Sequence, residues 1–167
     1  FIPTGGVGLH NLNAYLSLPN VLCCGGSFMA PAGLVEAGRF DEIETLCRAA
    51  VQTMFDPQLC HVGMNCAGAQ EAEQRAKALD RLFGFAPREL PGAWFAGSAA
   101  ELVKKPFLGA HGHLAIAVNH IERAMAWYQA HGVAFREEGL VMDGAGVVAV
   151  YLQEEVGGFA IHLRRRD

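Results

Sequence analysis

A chain of 167 residues with 51% apolar and 18% charged side chains has the composition of core-forming domains, which excludes a disordered segment. The net charge is −4 and the one basic run is Arg164-Arg165-Arg166, read as a solvated terminus, so no nucleic-acid role is expected. Five cysteines in no disulfide or zinc spacing suit a reducing cytoplasm, and no apolar run or signal segment calls for a membrane.

Residues 1–54 read as strand, turn, helix, strand, turn, helix. Phe1-Ile2 stops at Pro3-Thr4-Gly5-Gly6, and Leu12, Tyr15 and Leu16 then recur at helical spacing up to Pro19. Val21-Leu22-Cys23-Cys24 is wholly apolar, as in a strand covered on both faces, and it runs into Gly25-Gly26-Ser27. Beyond Gly38, Asp41 is the expected N-cap of a helix burying Ile43, Leu46, Cys47, Ala50 and Val51. Backbone N–H groups bared by paired glycines at the head of a helix attract phosphate, although the same pairs also fit ordinary turns of an α/β fold. The chain opens on Phe, inside what reads as a strand, so it is expected to be the tail of a longer protein.

Phe1-Ile-Pro-Thr-Gly-Gly, Asn11-Leu-Asn-Ala-Tyr-Leu, Val21-Leu-Cys-Cys-Gly-Gly-Ser27 and Glu36-Ala-Gly-Arg-Phe-Asp41, in that order, resemble the class I aldolases acting on 2-keto-3-deoxy-6-phosphogluconate and 4-hydroxy-2-oxoglutarate. The resemblance implies the last two βα units of a (β/α)8 barrel. It places Thr4 near a pyruvate carboxylate, and Gly5, Gly6, Gly25, Gly26 and Ser27 around a phosphate or carboxylate. Phe28 stands where that family often has Trp. The family's Schiff-base lysine lies on an earlier strand, whereas the lysines here are Lys77, Lys104 and Lys105, all outside the matching stretch. A barrel also needs ~250 residues to close.

Asp56-Pro57 marks a break, after which one pattern is stated twice. His61-Val-Gly-Met-Asn-Cys66 heads the first copy and His113-Leu-Ala-Ile-Ala-Val118 the second. Strand alternation puts Val62, Met64 and Cys66, or Leu114, Ile116 and Val118, on a face that packs under a helix. The other face carries the histidine beside Gly63 and Asn65, or Ala115 and Ala117, small residues that leave room for something other than protein. In the first copy a helix at 70–83 ends at Gly84, and strands follow at 86–90, 93–96 and 100–104. In the second a helix at 120–130 ends near Gly132, and strands are expected near 133–138, 147–153 and 158–164, with a turn at Asp143-Gly144.

This doubled βαβββ order resembles the vicinal oxygen chelate superfamily, which includes glyoxalase I, extradiol dioxygenases and methylmalonyl-CoA epimerase. The resemblance implies two modules curled around a divalent metal, with a ligand from the first and last strand of each: here His61, Glu101, His113 and His162. His162 departs from the usual Glu. Three imidazoles and a carboxylate suit zinc, iron, manganese, cobalt or nickel. His111 is read as solvated or as a neighbour of that site, and His10, His120 and His131 as turn or helix-end residues.

The expected fold class is therefore α+β: a glyoxalase-like tandem βαβββ domain at 58–164, preceded at 1–54 by a fragment of an aldolase barrel. The leading functional expectation is a part of an aldolase that cleaves a phosphorylated 2-keto-3-deoxy sugar acid or 4-hydroxy-2-oxoglutarate, with its lysine outside this chain. The alternatives are a metal-dependent vicinal oxygen chelate enzyme, and a non-catalytic domain that binds a small acid or assembles oligomers. A small keto acid or phosphorylated sugar acid as substrate, a homo-oligomer and a cytoplasmic location complete the reading.

Overall fold

The computed structural model describes residues 1–166 and divides into two compact units, Phe1–Asp56 and Pro57–Asp167. In the first unit, Phe1–Pro3 and Leu22–Gly25 run side by side, joined by Leu22 N–H to Phe1 O and Gly25 N–H to Pro3 O, both 3.0 Å. They are extended segments rather than regular strands, because two such bonds with no third neighbour make too short a ladder. Leu22 is 72% exposed, where the sequence predicts burial on both faces. Each segment leads to a short helix, α1 (Leu12–Leu16) and α2 (Ala32–Glu36), and the longer α3 (Phe40–Phe55) follows. Val7, Leu12, Leu16 and Val21 form a small core, with Tyr15, Phe28 and Met54 packed against it.

Helix α3 begins earlier than its sequence signal. Gly38, at φ +66°, ends α2 with Arg39 N–H bonded back to Leu34 O at 2.9 Å, a Schellman turn. The next helix starts at once, so Asp41 lies in its first turn with Glu42, complementing the helix dipole instead of capping it. Ala50 and Phe55 are buried, whereas Cys47 is exposed.

The second unit is one eight-stranded sheet made of two βαβββ modules. The first module runs β1 (Gln58–Asn65), α4 (Ala69–Phe83), β2 (Pro87–Glu89), β3 (Ala93–Ala96) and β4 (Ala100–Val103). The second runs β5 (Gly112–Val118), α5 (Ile121–Ala130), β6 (Val141–Asp143), β7 (Gly146–Val156) and β8 (Phe159–Arg165). The spatial order is β2-β3-β4-β1-β5-β8-β7-β6. Within each module the first and last strands pair parallel, and the modules join through antiparallel β1 and β5.

Helix α4 lays Ala72, Ala76 and Leu79 on Cys66, Ala96 and Leu102. Two fully buried alanines let the helix approach the sheet closely. Leu82 and Phe83, assigned to the same face from the sequence, stand exposed at the helix end. Gly84, at φ +71°, receives the C-cap, with its N–H on Asp80 O at 2.7 Å. Helix α5 buries Ile121 and Ala124 and ties to β7 through the Glu122 carboxylate, which accepts Val147 N–H at 3.0 Å.

One predicted strand is replaced. At 133–138 only the Phe135–Leu152 bridge forms, and the hairpin partner of β7 is β6 instead. The chain meets the β7 edge in two short pieces. The loop between them turns at Gly139, φ +82°, where a Cβ would lie 2.8 Å from the Tyr151 ring. None of the described helices is long and apolar enough to cross a membrane.

Candidate metal centre

The four central strands, β4-β1-β5-β8, each contribute one polar side chain to the same face of the sheet. The register interleaves them with small residues in two adjacent rows. One row reads Phe95, Glu101, Gly63, His113, Ala160 across five strands. The next reads His61, Ala115, His162, Tyr151. Every ligand-type side chain thus has Gly or Ala as its neighbour across at least one strand pairing and can lean inward. The room beside Gly63 is not empty, contrary to the sequence reading. A Cβ built there would lie 2.1 Å from His113 Cε1, so the glycine accommodates a neighbouring imidazole.

His61, Glu101, His113 and His162 come together. His61 Nε2 and His113 Nε2 are 3.2 Å apart, and Glu101 Oε2 is 3.2 Å from the first and 3.0 Å from the second. His162 joins the two other imidazoles, with one ligand atom from each of the three histidines within 4.8 Å of the others. All three histidines are buried. His61 is oriented from behind by Cys60, whose Sγ lies 3.3 Å from Nδ1. The Cys60 position coincides with a register shift between Leu59 and His61, a β-bulge that re-aims the side chain.

Hydrogen bonding alone does not satisfy this cluster. A neutral imidazole has one N–H. If both Nε2–H groups donate to Glu101, two hydrogens oppose each other on the remaining N–N edge. If one Nε2 is bare, an edge to the carboxylate lacks its proton. Both ring nitrogens of His162 are also buried without a hydrogen-bond partner among the described residues, a costly state for polar atoms. Neighbouring donors each ~2.1 Å from one divalent ion would be separated by about 3.0–3.4 Å, the spacing of the His61, His113 and Glu101 atoms, whereas the three histidines lie within a wider 4.8 Å. The three histidines could therefore hold a metal ion, with the Glu101 carboxylate beside two of them.

Protonation agrees with that fit. Burial by itself raises the Glu101 carboxyl, but hydrogen bonds and charge from His113 and His61 outweigh it and hold the group down to about 2. Burial, reinforced by His113 and His61, pushes His162 down to about 3, so the ring is neutral at neutral pH and one nitrogen keeps a lone pair available. Tyr151 is pushed up to about 12, by burial first and then by the Glu101 charge, so its phenol keeps its proton.

A cavity of about 530 Å³ opens over this cluster, lined also by Phe95, Phe107, Tyr151, Lys105 and Arg164. None of these residues was singled out as a site residue from the sequence. Tyr151 could have been found, as the polar-tipped aromatic in the otherwise aliphatic run Val147–Leu152. His111 is exposed and packs on Phe159 at 5.6 Å, outside the cluster. His131 donates from Nδ1 to Trp127 O at 2.7 Å, a helix-end role.

The six other candidate residues lie in the first unit. Gly5 and Gly6 turn at φ +75° and +68°. Gly25 sits against Thr4, where an added Cβ would be 3.3 Å from Thr4 Cγ2, so the two glycine loops adjoin. At Gly26 a Cβ would strike the Phe28 ring at 2.6 Å. Thr4 and Ser27 are exposed, and Asn11 braces the first loop by accepting Gly8 N–H and donating to Gly6 O, both 2.9 Å.

Residues 1–46 match the KDPG and KHG aldolase family. This aldolase-like segment is 48% identical over 52 residues to the 2-dehydro-3-deoxy-phosphogluconate aldolase of Pseudomonas aeruginosa, and 50% identical over 52 residues to the KHG/KDPG aldolase of Escherichia coli. Each match covers 31% of this chain, and the chain spans 24% of the length of each relative. Among solved structures, a methylmalonyl-CoA epimerase from Mycobacterium tuberculosis is similar over 65% of this chain and 87% of its own, with 17% identity and a TM-score of 0.47. Another methylmalonyl-CoA epimerase covers 65% of this chain and 94% of its own, with 16% identity and a TM-score of 0.45.

Proposed function

We propose that the second unit is a divalent-metal enzyme module acting beside a carbonyl of a small keto acid, with His61, Glu101, His113 and His162 as ligands. The observation that carries this reading is the Nε2, Nε2, Oε2 triangle with edges of 3.0–3.2 Å, which hydrogen bonds leave unsatisfied. Zinc, iron, manganese, cobalt and nickel all suit three imidazoles and one carboxylate. When bound, such an ion supplies Lewis-acid polarisation of a substrate oxygen. One carboxylate leaves the filled site with a charge of about +1, which favours an anionic substrate. Tyr151, kept as a phenol, donates its O–H to a substrate oxygen that gains charge. Phe95 and Phe107 give that cavity an apolar side. The reaction class is proton transfer or bond cleavage next to a carbonyl, as in an isomerase or a lyase.

The aldolase-like segment supports a companion reading. A longer polypeptide carrying the missing barrel strands cleaves 2-keto-3-deoxy-6-phosphogluconate or 4-hydroxy-2-oxoglutarate, with its imine-forming lysine outside this chain. Thr4, Gly5, Gly6, Gly25, Gly26 and Ser27 would there hold the carboxylate or phosphate. Association of copies, covering the exposed Phe1, Ile2 and Leu22, belongs to the same reading.

Elemental analysis of purified and of metal-reconstituted protein tests the main proposal. A single divalent ion per chain is the expected result. Metal-free protein after reconstitution overturns it and leaves a small-acid-binding or oligomerisation module.

A further inference from the structure

We infer that the substrate of this centre carries an apolar side chain longer than a methyl group, seated against Phe107 and over Val103. The inference rests on the metal reading above and specifies the end of the substrate that the ion does not hold. Phe107 lies in the connection from β4 to β5, which joins the two modules. That connection is tied down on both sides of it, by Lys104 N–H to Gly92 O at 2.9 Å and by Asn65 Nδ2–H to Gly109 O at 2.8 Å. The Phe107 ring meets Tyr151 edge-on, with centroids 5.7 Å apart. Gly139 makes room for both rings, since a Cβ there would lie 3.1 Å from Phe107 Cε1 and 2.8 Å from Tyr151 Cδ2. The Phe107 ring is thus held in place, yet it is 54% exposed and lines the cleft over the histidines.

The lining beyond Glu101 is largely apolar. Val103 follows Glu101 by two residues on β4, so the two share the open face, about 6.6 Å apart along the strand. Its partners in register are Asn65 on β1 and Ala93 on β3, and the Asn65 amide is turned away to Gly109. Leu90 and Phe95 line the same cleft. Its polar groups are engaged or hydrated: the imidazoles of His61 and His113 face Glu101, Arg164 has a partner of its own, and Lys105 is exposed to water. A single exposed phenylalanine is ordinary on a protein surface. One fixed inside a cleft, with Val103, Leu90 and Phe95 in the same lining, gains from a ligand that displaces water from its face. A keto acid on the ion, with an aliphatic tail leaving along β4, meets that surface.

The test compares calorimetric dissociation constants of zinc-reconstituted protein for pyruvate, 2-oxohexanoate and 2-oxoglutarate. The added methylenes of 2-oxohexanoate are expected to make it bind about ten- to fiftyfold more tightly than pyruvate, and it should also bind more tightly than 2-oxoglutarate. Phe107→Ser should reduce the ratio of 2-oxohexanoate to pyruvate affinity to about threefold or less, and Phe107→Leu should keep most of it. Equal affinities in wild type, or a ratio that survives Phe107→Ser, overturns the inference. So does a preference for 2-oxoglutarate, which would point to an anion seat at Lys105. If no zinc binds, saturation-transfer NMR of 2-oxohexanoate with the metal-free protein decides instead. Transfer that is strongest at the terminal methyl and lost in Phe107→Ser supports the apolar seat independently of the metal, and uniform or absent transfer in wild type counts against it.

Discussion

Gly63 and His113 face each other across the antiparallel junction of β1 and β5, and the His113 imidazole occupies the space where a Gly63 Cβ would be. The contact would be 2.1 Å, so Gly63→Ala has to displace the ring or the strand. The expected result is a loss of about 1–3 kcal/mol in urea unfolding, the range for overpacking, together with loss of metal. A variant that keeps both stability and metal would show that the glycine is incidental.

His113→Ala removes a candidate ligand without adding bulk. Metal affinity should fall by more than the roughly 10- to 100-fold typical of losing a supporting partner, and Cys60→Ala should fall within that smaller range because Cys60 lies against His61 Nδ1 and orients the ring. Competition with a chelator of known affinity measures both. Full retention of metal by His113→Ala would refute the ligand assignment.

Acid should weaken the chelator-treated fold through His162. Its pKa is about 3 when folded, against an ordinary histidine value of 6.5. Between those values the unfolded chain binds the proton and the folded chain does not, so stability is fully present above about pH 6.5 and declines as pH falls toward 3. The slope from this group approaches ~1.4 kcal/mol per pH unit at its steepest. Urea midpoints measured from about pH 7 to pH 4.5 should show the decline in wild type and a shallower one in His162→Gln. Parallel curves would count against a buried neutral His162.

Pyruvate and borohydride should leave this 167-residue chain unmodified. Imine capture by the aldolase-like segment needs a lysine in that segment, and Lys105, although it lines the cavity over the histidine cluster, stands outside it. Lys77 pairs with Glu73 on the surface of α4, Lys104 with Glu89, and Lys105 lies with them in the second unit. Mass spectrometry reads the outcome, and a stable adduct on any of the three would show the argument to be wrong.

Self-association is expected at micromolar concentration. Phe1 and Leu22, 84% and 72% exposed, lie on adjacent segments of the aldolase-like unit. Sedimentation velocity should find a dimer or larger species that Leu22→Glu weakens, and a wild-type monomer would contradict it.

Much of this protein could be read from residue order alone. Strand alternation put His61, His113 and His162 on faces opposite their bulky neighbours, and the repeat of histidine strand, helix and three strands gave the α+β architecture. Local chemistry also marked the end of α4 at Gly84, since a left-handed C-cap is a property of one residue. The glycine loops of residues 1–46 carry the aldolase likeness in their spacing, which needs no tertiary contact to be legible.

Tertiary structure decided what depends on pairing across strands. Register set the diagonal of Glu101, Gly63 and His113 beside His61, Ala115 and His162, and a shift of one residue would have sent these side chains to opposite faces. The same register brought Tyr151 beside His162 and turned Arg164 from an apparent terminus into a wall of the cleft. The edge of β7 pairs with β6, while the segment near 133–138 keeps one bridge, Phe135–Leu152. Periodicity along a chain reports which face a side chain takes. Which residues stand opposite it is fixed only when the sheet closes its hydrogen bonds.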